Sequence, residues 1–201
     1  ISRCGVQRAA FVIRDNLGHR KDIENAYLDA IARAKTEIMI ASAYFFPGLS
    51  FRRALVEAAA HGVRVVLLLQ GRVEYRLLHY AARALYGRFL DAGIEIHEYR
   101  RSFLHAKVAV IDGRWSTVGS SNIDPMSLLL AREANVVIDD AGFARELKAS
   151  LTDAAAKGAH RVHRATWKRQ PLQARVLNWF CYELVRFLTG WSSYGRAPEF
   201  R

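Results

Sequence analysis

The residues best able to do chemistry in this chain lie between Leu104 and Glu133. His105 and Lys107 stand two apart at the start of an apolar run, Val108 to Ile111, which ends at Asp112. A period of two places both side chains on one face of a strand. Apart from Ala109 the run is β-branched, as a buried strand requires. Asp112-Gly113 between two strand-like runs predicts a hairpin. Its second strand leads to Gly119, and Ser120 and Asn122 then return to the end that carries His105 and Lys107. An imidazole, an ammonium, a hydroxyl and a carboxamide thereby converge, which suits phosphoryl transfer. Lys107 can neutralise a phosphodiester's charge as a compact cation and Asn122 can hydrogen-bond its oxygens. Imidazole can attack phosphorus or hand a proton to a leaving oxygen. A lone H-x-K would mark only an exposed strand face. The Asp112 spacing, the G-S-x-N step and acidic Glu133 on the next strand argue for a site.

The pattern His105-x-Lys107-x4-Asp112-x6-Gly119-Ser120-x-Asn122 resembles the signature of the phospholipase D superfamily. That resemblance implies a layered α/β fold with a mixed central sheet flanked by helices. It also implies that His105 is a covalent nucleophile, forming a phosphohistidine, or the acid for the leaving group, and that Lys107 and Asn122 bind phosphate. In the superfamily a carboxylate eleven residues after the asparagine orients the histidine, the spacing of Glu133. More narrowly, AYFFPG at 43–48, Ala81 to Gly93, EYRRSFLHAK, GSSNIDPMSL and EANVVIDD resemble the C-terminal half of bacterial cardiolipin synthases, above all their B type. The similarity covers most of residues 20–150. It implies that the segment of Tyr44, Phe45, Phe46 and Pro47 borders the substrate.

The 201 residues are 51% hydrophobic and 24% charged, enough for one globular domain with a core. A net charge of +11 predicts attraction to polyanions, nucleic acid or an anionic lipid surface. The seven histidines fall into no zinc spacing, so no metal or other cofactor is expected. Cys4 and Cys181 lie near opposite ends and are expected to be unpaired thiols in a reducing compartment. No apolar run reaches the ~18 residues of a membrane span. The chain begins at Ile1 without a methionine, so a fragment or processed product is expected.

The elements that must hold the site read as follows. VQRAAFVI at 6–13 is a strand, and Asp22 caps a helix to about Lys35 with Ile23, Tyr27, Ala30, Ile31 and Ala34 on one face. His19-Arg20-Lys21 is a decoy H-x-K, since Ala26 occupies its aspartate position. Glu37 to Ala43 is a buried strand whose carboxyl end opens into the aromatic loop. Ser50 caps a helix to His61, Val63 to Gln70 is a central strand, and Tyr75 to Ala92 is one long helix closed by Gly93. Arg72 faces a headgroup or solvent. After the strand Ile94 to Tyr99, Arg100-Arg101 stands where Arg101 would rim a phosphate site. Glu133 to Ile138 is a strand, and Asp140 starts a helix to about Lys157. Strands alternating with helices predict a layered α/β domain over 1–159.

Residues 160–201 read as a basic, aromatic-rich amphipathic tail. Leu172, Val176, Phe180, Leu184, Phe187 and Trp191 recur at helical spacing, beside Trp167 and Trp179. Such a helix suits a headgroup layer, or packs on the domain. The expected activity is a phosphatidyltransferase of the cardiolipin synthase kind, passing a phosphatidyl group from one phosphatidylglycerol to another through a phosphohistidine. The alternatives are a phosphodiesterase, either a homodimeric nuclease or a phospholipid hydrolase, and a binding remnant with half a site. Implied partners are an anionic phospholipid substrate, a membrane surface, and a second histidine motif from a missing N-terminal half or a homodimer mate, with nucleic acid as the other polyanion. The implied place is the cytoplasmic face of the bacterial inner membrane, peripherally bound.

Overall fold

Two apolar runs without polar alternation, Glu37–Ser42 (β2) and Arg64–Gln70 (β3), set the architecture. Strands that are apolar on both faces must lie at the centre of a covered sheet. Around them the computed structural model, which describes residues 7–15, 17–124, 127 and 131–190, places six more strands. These are β1 (Arg8–Arg14), β4 (Glu95–Tyr99), β5 (Lys107–Ile111), β6 (Trp115–Gly119), β7 (Glu133–Asp139) and β8 (Ala159–Val162). The order across the sheet is β1-β7-β6-β5-β2-β3-β4-β8. β2, β3 and β4 run parallel and every other pairing is antiparallel, so the sheet is mixed, as expected.

The helices are α1 (Asp22–Arg33), α2 (Leu49–Ala60), α3 (Arg76–Arg83), α4 (Tyr86–Asp91), α5 (Ala141–Gly158), α6 (Arg164–Lys168) and α7 (Leu172–Gly190). Alternation along the central strands divides the core. Ile38, Ile40, Val65, Leu67, Leu69, Ala109 and Ile111 pack under α1 to α4 and α7. Met39, Ala41, Val66, Leu68 and Val110 pack under Ala144 and Leu151 of α5.

Several expected boundaries move, for local reasons. The residue before α1 is Lys21, and Asp22 is the first helical residue, where its carboxylate pairs with the His19 ring at 2.7 Å rather than capping. α2 starts from Gly48 with no side-chain cap, and Ser50 lies exposed in its first turn. Asp140 does cap α5, accepting the Phe143 amide at 2.7 Å. The long helix expected over 75–92 is two helices. Between them Ala84 and Leu85 donate to Ala81 and Ala82, a tightened turn that redirects Tyr86, Phe89 and Leu90 into the core. The strand expected from residue 6 is seen from Arg8; Val6 and Cys4 lie outside the described residues, while Cys181 is a buried free thiol in α7.

No boundary falls at residue 159. β8 pairs with β4, from Tyr99↔Ala159 to Ile96↔Val162. Cys181 and Val185 of α7 belong to the main core, and Tyr182 packs on Phe46 at 5.5 Å between ring centroids. Trp191 and the rest of the tail lie outside the described residues. α7 therefore docks on the domain along one face, because its apolar residues at that face complete a core the sheet leaves open.

The β5–β6 turn is the junction that matters most for the site. Asp112 and Gly113 both take positive φ, 51° and 61°, which aspartate tolerates and glycine favours. The Asp112 carboxylate accepts the amides of Lys35 (2.8 Å), Thr36 (2.8 Å) and Glu37 (2.9 Å) and the Thr36 hydroxyl (2.8 Å). Burial pushes its pKa up, but these donors from the start of β2 prevail and hold it below the ordinary carboxylate value. Asp112→Asn should therefore cost about 2–3 kcal/mol of stability at neutral pH in urea unfolding, since bonds to a charged acceptor are lost. A depressed folded pKa gives stability that is present above the unfolded value near ~3.9 and lost as pH falls through the folded one. The gap between wild type and variant should accordingly shrink in acid; a gap independent of pH would refute the clamp.

Candidate active site

Register brings the polar residues together. β2 meets β5 with Ser42 opposite Lys107, and β5 meets β6 with Val108 opposite Val118. Tyr44, His105, Lys107, Ser120 and Asn122 consequently stand at one end of three adjacent strands. Phe45 and Ile123 form a parallel bridge there, and the Phe46 amide donates to the Ile123 carbonyl at 2.7 Å, closing that end.

Lys107 is buried, at 9% exposure, and its Nζ donates to the His105 carbonyl at 3.1 Å. Burial lowers its pKa, while the carboxylates of Glu133, Asp124 and Glu74 oppose that shift by stabilising the ammonium. His105 lies just before β5 with an exposed ring, so the expected strand period extends only in side-chain direction, not in ladder bonds. Tyr44 packs edge-on to that ring, with centroids 6.3 Å apart, and edge-on to Tyr75 at 5.4 Å. Its hydroxyl donates to Glu74 Oε2 at 2.5 Å, and burial together with that carboxylate raises the phenol's pKa. Asn122 is buried; its Oδ1 accepts the Tyr44 amide and its Nδ2 donates to Ser127 Oγ, each at 3.4 Å. Ser127 is in turn held by Asp124, through its amide at 3.1 Å and its hydroxyl at 3.3 Å.

Glu133 meets Ser120, whose hydroxyl donates to its carboxylate. Ser120 Oγ also accepts the Ala134 amide at 3.1 Å. The expected pairing of Glu133 with His105 is absent among the described residues, where the His105 ring has no hydrogen-bond partner at all. Asp112 does not join the cluster either. It ends the strand that Lys107 begins, roughly 17 Å away at about 3.3 Å per residue, and its carboxylate is occupied by β2.

The aromatic loop divides. Tyr44 faces the cluster, whereas Phe45, Phe46 and Pro47 are buried. Phe45 packs on Phe89 and Phe46 on Tyr182, so the expectation that these three touch substrate is corrected: the chain turns inward after Tyr44 to seal the core. Arg101 lies exposed at the cluster's end of β4, and among the described residues its side chain makes no hydrogen bond to His105 or Lys107. Arg72 is exposed to solvent, as one of its two expected settings had it, and its guanidinium holds the carbonyls of Arg100 and Arg101 at 2.9 and 2.8 Å. Sequence reasoning missed Glu74 and Asp124. The signal for both was present, an acidic residue in a post-strand loop and one two positions beyond the asparagine. Among the described residues no three His, Cys, Asp or Glu side chains are grouped to hold a metal ion.

The geometry places an exposed imidazole at a cleft edge, with a buried ammonium and a buried carboxamide at the same strand end. Residues 27–154, which contain every member of the cluster, match the family model described as cardiolipin synthase, PLD-like domain. The chain is 45% identical over 158 residues to cardiolipin synthase B of Escherichia coli K12, covering 79% of this chain and 38% of that protein. It thus spans well under half the length of that relative. The fold is similar to that of Nuc, a phospholipase D family member from Salmonella typhimurium, with a TM-score of 0.65, 22% identity, and coverage of 79% of this chain and 99% of that one. It is similar too to phosphatidylserine synthase from Haemophilus influenzae, with a TM-score of 0.72, 12% identity, and coverage of 94% and 48%. At those identities the structural likeness is one of fold.

The division of the aromatic loop is open to test. Phe45→Ala should remove about 3–5 kcal/mol of stability by emptying a core position. Tyr44→Phe should cost no more than about 1.5 kcal/mol, the loss of one hydrogen bond at the cleft. Urea unfolding of both variants measures this, and a Phe45→Ala protein as stable as Tyr44→Phe would place Phe45 back at the surface.

Proposed function

Because the chain belongs to the family of cardiolipin synthase, PLD-like domains, we propose that it is one half-site of a phosphatidyltransferase that makes cardiolipin from two molecules of phosphatidylglycerol. The observation that carries this reading is the single open imidazole. His105 stands over Lys107 and Asn122 with no orienting partner among the described residues, which is what half of a two-histidine site requires.

In the first displacement one imidazole nitrogen attacks the phosphodiester phosphorus of phosphatidylglycerol. The bond from phosphorus to the headgroup oxygen breaks, and the departing glycerol takes a proton from the second imidazole. In the second displacement a hydroxyl of another phosphatidylglycerol gives its proton to that second imidazole and attacks phosphorus. The phosphorus–nitrogen bond breaks and the first imidazole is restored. His105 serves as one of the two. Lys107 holds the phosphoryl oxygens, whose charge grows as each transition state forms, and burial strengthens that attraction by excluding water. Asn122, fixed by Tyr44 and Ser127, adds a directed hydrogen bond. Glu133 and Ser120 line the rim as a carboxylate–hydroxyl pair available to imidazole. Arg101 adds positive charge on the approach.

The second histidine and the group that orients His105 come from outside the described residues, either from another segment of a longer polypeptide or from a second copy of this chain. A place on the cytoplasmic face of the bacterial inner membrane fits a charge of +11 and the absence, among the described residues, of any helix long and apolar enough to cross a bilayer. A nuclease reading rests on fold alone.

His105→Gln should lower cardiolipin formation at least ~100-fold in the enzyme that carries both motifs, and Lys107→Arg should not restore full rate to a Lys107→Met protein, since a planar fork replaces a compact ammonium. Retention of more than about a tenth of the rate in His105→Gln would overturn the assignment. Mixing wild-type and His105→Gln chains tells where the second histidine resides. Activity falling with the square of the wild-type fraction marks a site shared between copies, and a linear fall marks one built within a single polypeptide.

A further inference from the structure

Away from the cluster, a cavity of about 530 Å³ opens between α4, α6 and the first turns of α7. It lies at the other end of the sheet. β4 runs from Glu95 towards the catalytic end at Tyr99, whereas Asp91 precedes β4 and Arg164 follows Val162, opposite Ile96. None of the catalytic residues lines it.

Its walls bring together four cations, Arg83, Arg164, Lys168 and Arg175, and one carboxylate, Asp91. Asp91 holds Arg164 at 2.5 Å and Lys168 at 3.2 Å, so those two are fixed but not neutralised one for one. Arg83 pairs with buried Glu98 and lays its guanidinium over the Trp167 ring at 4.9 Å. Arg175 has no ion pair among the described residues. The second feature is Asn178. It is only 6% exposed, it lines the cavity, and its amide makes no hydrogen bond among the described residues. Its polar atoms are not sealed from solvent, so the amide opens to the cavity it lines and is free to bond a polar ligand there.

The third feature is the outer face of α7. While Asn178, Cys181 and Val185 point into the protein, Leu172, Val176, Trp179 and Phe180 are 71%, 53%, 60% and 58% exposed. Trp179 belongs to both, lining the cavity and standing on the outer apolar face. A cationic cavity whose rim is a tryptophan on an apolar helix face matches a phosphate layer next to acyl chains.

We propose that this cavity is a second, non-catalytic site that takes the phosphate-bearing headgroup of an anionic phospholipid and seats the outer face of α7 on the bilayer. Its volume is of the size that holds a small ligand. The site rests on the cavity and Asn178; the choice of a lipid as the source of the phosphate rests on the lipid reading above.

The test uses the 201-residue chain in a Lys107→Met background, which removes the catalytic phosphate contact. Probes are glycerol phosphate in solution, followed by the rise in melting temperature, and vesicles of phosphatidylcholine alone or mixed with an equal amount of phosphatidylglycerol. Arg175→Glu, at an exposed position that folding does not need, should weaken binding to the phosphatidylglycerol vesicles at least ~10-fold. Asn178→Leu, which changes no charge, should also weaken vesicle binding and abolish the glycerol phosphate shift, in protein whose melting without ligand shows it folded. Arg145→Glu, the same reversal on exposed α5 across the sheet, should change vesicle binding less than ~3-fold. Equal losses for Arg145→Glu and Arg175→Glu would reduce the effect to a diffuse field and overturn the site. A glycerol phosphate shift lost in Arg175→Glu with vesicle binding unchanged would assign the cavity to a soluble phosphate and overturn the lipid. Turnover is not read out, so failure of the transferase reading leaves this test intact.

Discussion

The pairing of β5 between β2 and β6, locked at one end by the Asp112 carboxylate, is the constraint on which the site depends. A strand slipped by one residue exchanges its two faces. Here a slip would carry Lys107 from the face it shares with Ala109 and Ile111 into the core under α5, and it would separate Asn122 from the Tyr44 amide. Three apolar strands cannot by themselves choose one register over another, because Val, Ile and Leu pack at many offsets. The four bonds from Lys35, Thr36 and Glu37 to Asp112 supply that choice, about 17 Å from the chemistry. An aspartate within the catalytic signature thus acts by fixing where the signature's lysine stands.

With register set, the cluster is held by two sets of hydrogen-bonded polar groups, a buried one in which Asn122 meets Tyr44 and Ser127 and Ser127 meets Asp124, and a more exposed one in which Ser120 meets Glu133 and Ala134. The buried set is the rigid one, because each unmade bond there would leave a desolvated group. Lys107 is the exception that pays in desolvation for its placement, offset by three carboxylates and a carbonyl. His105 is the other exception, with an exposed ring that no described residue hydrogen-bonds. The contrast between a hydrogen-bonded set of polar groups and an open imidazole is the feature on which the proposed half-site rests.

α7 shows how one helix meets two demands. Its inward face completes the core through Cys181, Tyr182 and Val185, while its outward face keeps large apolar side chains in contact with solvent. Core packing alone requires only the first. The second face is continuous with a cation-lined cavity, and the proposed lipid site rests on that combination.

Much of this was legible from residue types and spacing. Uninterrupted apolar runs marked β2 and β3 as central, Asp112-Gly113 marked the hairpin, and the two-residue steps His105–Lys107 and Ser120–Asn122 marked which side chains share an end. These are local properties, since the strand period and the turn's need for positive φ act over a few residues. Three matters were decided only by the tertiary structure. Phe45 and Phe46 went into the core while Tyr44 stayed at the cleft, because the loop turns to meet Ile123, a residue 78 positions beyond Phe45. The Asp112 carboxylate was taken by amides 75 to 77 positions before it. The C-terminal helix packed against α3 and Phe46, though its amphipathic spacing served equally for a free membrane helix. In each case the partner lies far along the chain, and periodicity, which reports the direction a side chain faces, carries no information about what comes to meet it.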